Sequence, residues 1–294
     1  MNQPIVSCTV LLMLLTGVCS FLGFRSYAVE GKYIFNPERI LAGKEYYRLV
    51  SSAFLHADWR HLLLNLFSLY FFGSSVEMWL GKVQLLLIYF GAIVGGNLLS
   101  LYVHRLHEYR AYGASGGVCG IIFAYILMFP GSSISMPFVP IGIPGWLYAI
   151  GFMLASFYGM KEHNRGNIGH DAHLGGAIIG LLIVAAVHPE FVRENLRIFL
   201  LVLGAAVLLL TYLWFNPLFL PIAGFLRKGG RAGGRVQALP RHKRESAAVD
   251  QILEKIATRG FDSLTPDEKN LLGQVSQKYQ RRAQSKKPES GLAI

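Results

Sequence analysis

Residues 169–187 read GHDAHLGGAIIGLLIVAAV. After Asp171 the run Ala172–Val187 carries no charge, the composition of a helix crossing about 30 Å of hydrocarbon. His173 opens that run, and Gly176 and Gly180 fall one and two turns later on the same helix face. A glycine stripe lets a second helix come very close. An ionisable side chain at such a place is costly in lipid and is a functional candidate by default.

The rest of the chain repeats the pattern. Ile5–Phe24 and Val83–Val103 are uncharged runs, and Leu62–Val76 is a shorter one continuing past Glu77 to Leu80. Ala111–Met160 is too long for one helix, and its middle, PGSSISMPFVPIGIPG, places Pro130, Pro137, Pro140 and Pro144 where helices break. Two spans joined by a loop are expected there. Ala172–Val187 and Ile198–Leu226 bring the expected count to seven. The expected fold is an all-α, polytopic membrane helical bundle: six helices in the core and a seventh span after it.

Composition agrees. Of 294 residues, 53% are apolar and only 15% charged, against about 25% charged in ordinary soluble domains; mean hydropathy is +0.40. A soluble globular enzyme is therefore excluded. Residues 1–226 hold 13 basic and 10 acidic side chains, and residues 227–294 hold 15 and 7, so a basic polar tail follows the membrane body. The start of the chain does not read as a signal peptide, because no Lys or Arg precedes the apolar run. Cys8, Cys19 and Cys119 all lie in apolar runs and suggest neither a disulfide framework nor a zinc knuckle. Neither GxGxxG nor GxxxxGK[ST] occurs, so no nucleotide loop is expected.

Two further polar groups sit at span ends. His56-Ala-Asp-Trp-Arg-His61-Leu-Leu-Leu-Asn65 leads into the second span, with His61 and Asn65 four apart on one helix face. Interfacial capping or helix–helix hydrogen bonding would explain that pair equally well. Gly113-Ala-Ser115-Gly116-Gly117-Val-Cys119-Gly120 opens the fourth span, where small neighbours leave a serine hydroxyl accessible. Spans two, four and six run the same way, so His61, Ser115 and His173 fall near one membrane face. A serine, a histidine at its side and separate N–H donors match the template of acyl transfer.

On HADWRHLLLN (His56–Asn65), GASGG (Gly113–Gly117) and HLGGAIIG (His173–Gly180), the sequence resembles the rhomboid intramembrane serine proteases, over roughly residues 40–190. Tyr46-Tyr47-Arg48 and the pair Gly73 and Glu77 are also similar. The resemblance implies Ser115 as nucleophile and His173 as general base, a dyad without a carboxylate. It implies an oxyanion hole of His61, Asn65 and the Ser115 backbone N–H. His56 would tie down the first loop, and Gly113, Gly116, Gly176 and Gly180 would shape the site. No cofactor or metal is implied. The expected partners are the bilayer and transmembrane protein substrates, not nucleic acid, and the expected location is a bacterial inner membrane. The alternative is a non-catalytic relative that binds or transports substrates; a third reading is a metal site of His56, His61, His170 and His173.

Asp171 is not expected as a third member, since residues two apart face different sides of a helix. His170 is the rival base, but the glycine stripe favours His173. Many family members carry an aromatic one turn after the serine, packed on the catalytic imidazole. Here that position is Cys119, so Phe123 or Tyr125 is expected to support the ring unless it is held more loosely. The fifth span, Trp146–Met160, is rich in Trp146, Phe152, Met153 and Phe157 and lacks glycine stripes, which makes it the expected substrate gate. His104, His107, His163 and His188 read as interfacial.

The domains expected are a first span and loop start (1–39), the core (40–190), the seventh span (191–226), a basic flexible linker (227–245) and a helical-hairpin tail (246–294). The linker carries seven basic residues and four glycines in 227–244 and suits anionic headgroups. In the tail, Val249, Ile252, Leu253 and Ile256 recur at helical spacing, Gly260 ends that helix, and Thr265-Pro266-Asp267-Glu268 starts another with Leu271, Leu272, Val275 and Tyr279. The tail's partner is unknown from sequence. Seven crossings put tail and active-site residues on one face. The resemblance puts that face outside the cytoplasm, although basic loops argue the opposite.

Overall fold

The computed structural model describes residues 7–105, 108–135, 142–161 and 169–215, and in the tail residues 252, 255–256 and 260–273. In chain order the body consists of α1 (Cys8–Arg25), α2 (Tyr27–Tyr33), α3 (Pro37–Leu41), α4 (Arg48–Ser51), α5 (Trp59–Ser68), α6 (Ser74–Leu80), α7 (Lys82–His104), α8 (Ser115–Met128), α9 (Gly145–Lys161), α10 (His170–Val187), α11 (Pro189–Glu194) and α12 (Leu196–Phe215). It is an all-α, polytopic membrane bundle. Helices α1, α7, α10 and α12 are long and apolar enough to cross a bilayer, while α8 and α9 are shorter apolar helices. The second span is α5 and α6 joined through one π-helical turn, Leu69–Gly73.

Apolar residues on the outward side of the outer helices are what lipid demands. Helix α1 buries Thr9, Leu12, Thr16 and Ser20 and exposes Leu11, Leu14, Leu15 and Val18. Likewise α12 buries Val202, Ala206, Leu209 and Leu213 and exposes Leu200, Val207, Leu208 and Trp214. The inner helix α8 is different: from Gly116 to Met128, all but Tyr125 are buried.

One carboxylate fixes α1 against the second span. The first turn of a helix has N–H groups without partners, and Glu77 of α6 accepts from Cys8 N–H (2.7 Å), Thr9 N–H (2.9 Å), Thr9 Oγ1–H (2.7 Å) and Ser7 Oγ–H (2.6 Å). A negative charge there also suits the helix dipole. The π turn lies alongside, where a Cβ on Gly73 would stand 3.1 Å from both Thr9 Cγ2 and Leu69 Cδ1.

The first loop departs from a plain connection. It folds into α2, α3 and α4 around Arg48, which is 1% exposed and donates to the carbonyls of Gly31 (3.0 Å) and Ile34 (2.7 Å) and to the Glu45 carboxylate. Capping starts the short helices: Ser26 accepts from Val29 N–H, and Asn36 accepts from Arg39 N–H ahead of Pro37. Asn97 of α7 fastens the loop to the bundle by donating to Leu49 C=O at 2.7 Å.

The proline-rich link between the fourth and fifth spans contains two short antiparallel strands, β1 (Ser133–Ser135) and β2 (Gly142–Pro144), with Ser133 opposite Pro144 and Ile134 opposite Ile143. Proline stops helices but tolerates extended backbone, and Ile134 supplies a buried anchor. The last span forms a helix as far as Phe215; residues 216–226 of the expected run lie outside the described residues.

The fifth span is less loosely held than its large residues suggest. Ala149 and Met153 are fully buried, and the buried Phe157 lies edge-on to Tyr212 of α12, ring centres 5.6 Å apart. Among the gate residues named from sequence, Trp146 is the half-open one, at 38% exposure.

Residues up to Gly230 and those from Arg231 form separate units. In the second, Thr265 and Glu268 cap each other: Thr265 N–H donates to the Glu268 carboxylate (2.7 Å) and Glu268 N–H to Thr265 Oγ1 (3.3 Å). Gly260, at φ +78°, donates its N–H to the Ile256 carbonyl (2.9 Å), and Lys255 pairs with Glu268 at 2.8 Å. Val249, Leu253, Val275 and Tyr279 lie outside the described residues, as does the basic linker.

Candidate active site

The site is built where α8 and α10 touch. Gly116 and Gly120 of α8, facing Gly176 and Gly180 of α10, remove everything between the two backbones. A Cβ on Gly176 would strike the carbonyl oxygen of Gly116, and one on Gly180 would strike the backbone of Gly120. On the other side, a Cβ on Gly96 of α7 would strike the Ala172 carbonyl oxygen. With α10 wedged between α7 and α8 in this way, Ser115 and His173, each in the first turn of its helix, face one another. His173 Nε2 is 2.6 Å from Ser115 Oγ. Both residues are half-buried, so the hydroxyl is reachable.

His170 does not share this position. Its ring packs over Gly159 of α9 and stands 5.9 Å from the His173 ring. The Asp171 carboxylate points away, to His104 (3.1 Å) and the Tyr109 hydroxyl (3.4 Å). Among the described residues Ser115 is the hydrogen-bond partner of His173.

Helix α5 supplies the opposite wall. Asp58 caps it by accepting from His61 N–H at 2.9 Å. The His61 ring then sits against Gly113: a Cβ there would lie 2.8 Å from His61 Cε1 and 3.4 Å from Ser115 Oγ. Gly113 has φ +137°, a conformation that strains any other residue, so both space and backbone call for glycine. Asn65 is buried one turn below His61 and donates one amide N–H to the His61 carbonyl (2.9 Å), which leaves its second N–H to turn elsewhere.

His56 lies behind the site and is fully engaged. Its Nε2 accepts from the Ala114 N–H at 3.3 Å, so the proton is on Nδ1, which donates to Ser20 Oγ at 2.9 Å. Ser20 passes its own hydrogen to the Phe54 carbonyl at 2.9 Å. Burial holds the His56 pKa down to about 3, with the neighbouring His61 acting in the same direction and Asp58 opposing. The ring is thus a neutral strut linking α1, the first loop and the turn before Ser115.

Several supporting residues were not apparent from sequence. Phe152 of α9 flanks the His173 ring, centres 6.1 Å apart, and is itself stacked on Tyr148 and edge-on to Phe123. Phe123 therefore reaches His173 only through Phe152, and Tyr125 packs on Phe72 and Phe129 instead. His104, the last residue of α7, is 3% exposed and lies against Asp171. His188, paired with Glu190 at 2.8 Å, lies at a span end, and His107 and His163 lie outside the described residues.

A serine and a histidine at hydrogen-bond distance, beside a second histidine and a carboxamide, are the groups that acyl-transfer chemistry uses, here gathered at the ends of helices of a polytopic membrane bundle. A family model described as "Rhomboid domain" matches residues 43–190, and the chain belongs to the rhomboid family. A second model, "Family of unknown function (DUF6576)", matches residues 241–278 of the tail.

Among curated proteins the chain is similar to YdcA of Bacillus subtilis, named "Putative rhomboid protease", with 38% identity over 88 residues, 30% of this chain and 44% of that protein. It is also similar to two Arabidopsis thaliana proteins. Rhomboid-like protein 11, chloroplastic, is 33% identical over 47% of this chain and 51% of its own. RHOMBOID-like protein 12, mitochondrial, is 31% identical over 47% and 46%. The chain spans about half the length of these relatives.

Proposed function

We propose that this rhomboid-family membrane protein is a serine endopeptidase that cleaves transmembrane protein substrates within the bilayer. The observation that carries the reading is the 2.6 Å approach of His173 Nε2 to Ser115 Oγ. In this mechanism a substrate segment unwinds at the mouth of the bundle and presents a peptide carbonyl to Ser115. His173 Nε2 takes the hydroxyl proton as Oγ attacks. The oxyanion that forms is stabilised by the Ser115 backbone N–H, His61 and the free N–H of Asn65. His173 then gives the proton to the departing amine, leaving an acyl-enzyme. A water deprotonated by His173 releases the acid and restores Ser115.

A neutral dyad suits its surroundings, because an unpaired carboxylate in hydrocarbon would cost several kcal/mol. The metal reading loses support from His56, whose two ring nitrogens are already occupied. We read the core as residues 40–190, with the last span, basic linker and tail hairpin appended. We assign the protein to a bacterial plasma membrane, in keeping with its similarity to the Bacillus subtilis relative, with the active site on the outer face.

Labelling with a fluorophosphonate probe tests the function. The purified chain should be labelled at Ser115 and should cleave a model transmembrane substrate, and Ser115→Ala should lose both. Turnover by Ser115→Ala, or a wild-type chain inert to probe and substrate, overturns it.

A further inference from the structure

Asp171 is an acid with 2% of its surface exposed, in the first turn of a bilayer-crossing helix and two residues from His173. A buried charge of this kind costs free energy even when paired, so its presence asks for a role other than stability. Its two oxygens face different neighbours. One lies 3.1 Å from His104 Nε2 at the last turn of α7, and the other accepts from the Tyr109 hydroxyl at 3.4 Å. Tyr109 also covers the pair, its ring flat on that of His104 with centres 3.5 Å apart and planes 4° from parallel. Burial and the Asp171 charge raise the Tyr109 pKa, so its hydroxyl keeps the proton it donates.

The seam between α7 and α10 gives this cluster its use. Nearest the site it is a backbone contact, with Gly96 under the Ala172 carbonyl and a Cβ on Gly175 coming within 2.9 Å of Gly96 Cα; deeper in the bundle Ile179 lies against Gly95 and Ile183 against Gly91. Glycine on glycine sets how closely the helices lie there, while the apolar side chains that interlock them sit further along α10 than its first turn. The Asp171–His104 contact orients that first turn. At about 100° per residue, positions two apart point about 200° apart. Holding Asp171 against α7 therefore turns His173 toward α8 and Ser115.

We propose that Asp171 and His104, covered by Tyr109, are positioning residues: their contact fixes the rotation of the first turn of α10 and so the aim of His173 at Ser115. The inference rests on the reading of Ser115 and His173 as the reacting pair. A misplacement of about 1 Å in such a pair can cost about 10²-fold in rate.

The test uses the full chain in proteoliposomes, with substrate kinetics, fluorophosphonate labelling rate and thermal unfolding measured on each variant. His104→Phe keeps the ring stack on Tyr109 and removes the contact to Asp171. It should lower kcat and labelling by about 10²-fold with KM unchanged. Asp171→Ala should do the same, and Asp171→Asn, which keeps an acceptor for His104, should recover part of the rate. The double variant should be no slower than the slower single one, because both remove one contact. Should Asp171→Ala not fold, His104→Phe and Asp171→Asn carry the comparison. Stable His104→Phe and Asp171→Asn proteins labelled at the wild-type rate overturn the positioning role alone. Losses that merely track unfolding temperature, or that appear in KM, also overturn it. A wild-type chain unlabelled at Ser115 would instead remove the dyad reading on which the role depends.

Discussion

Gly176 of α10 lies so close to Gly116 of α8 that a Cβ on it would strike the Gly116 carbonyl oxygen. The 2.6 Å contact between His173 and Ser115 depends on this approach, one turn deeper in the bundle. Two helix backbones that touch directly carry their end residues to a fixed separation.

Gly176→Ala and Gly180→Ala should therefore separate the helices. Overpacking of this kind costs about 1–3 kcal/mol. Both variants should unfold at lower temperature in detergent and lose most of their cleavage, because the colliding atoms are backbone and cannot rotate away. Gly204→Ala, on α12 with nothing within 4 Å of its Cβ position, is the control and should behave as wild type.

His173→Ala should abolish cleavage in a folded protein, whereas His170→Ala should retain it, since the His170 ring packs on Gly159 rather than at Ser115. Asn65→Ala should lower kcat by about 10²–10³-fold, the usual loss of one oxyanion donor. Kinetics on a transmembrane substrate check all three. Activity lost in His170→Ala and kept in His173→Ala would reverse the assignment.

Glu77→Ala leaves four donors around the α1 N-terminus without their acceptor. Loss of a helix cap costs about 0.5–2 kcal/mol. Hydrogen exchange should accelerate at the amides of Cys8 and Thr9 first. Glu77→Gln should fall between wild type and Glu77→Ala.

The first loop should weaken in acid. The Arg48 guanidinium bonded to Glu45 holds that carboxyl below the usual carboxylate range, with help from the Tyr47 hydroxyl and against a smaller opposing effect of burial. A carboxyl whose pKa is lower folded than unfolded contributes stability above its unfolded value, about 4.3, and loses it as pH falls through the folded value. Wild type should thus exceed Glu45→Gln in unfolding temperature at neutral pH. The two should converge below the carboxylate range. A difference independent of pH would count against the Glu45–Arg48 contact as its source.

Substrate access makes a graded prediction on α9. Trp146, which is half-open, should tolerate trimming to Ala with cleavage kept or raised. Phe157→Ala should instead destabilise, by about 3–5 kcal/mol if its cavity does not close, because that ring is buried against Tyr212. Cross-linking α9 to α5 should block cleavage; a cross-linked protein at full rate would argue for another route.

Much of the architecture is legible in the sequence because lipid imposes one rule. A bilayer-crossing backbone must bond internally, so apolar runs become helices, and the four prolines of 130–144 divide one run into two. Glycines in phase with His173, and with Ser115 on another span, likewise announce a close contact, because in lipid small residues are what lets helices approach. The reciprocal cap of Thr265 and Glu268 is local chemistry and equally readable.

What only the tertiary structure decided is where isolated polar side chains find their partners, since such partners are distant in sequence. Arg48 reads as a loop charge, yet it is buried under the carbonyls of Gly31 and Ile34. His104 reads as interfacial and is bound to Asp171, 67 positions away. The aromatic ring beside His173 is Phe152 of α9, rather than Phe123 or Tyr125 of the helix that carries Ser115 and Cys119. Sequence period fixes which face of a helix a residue occupies; the neighbour across that face is set by packing, which no single helix encodes.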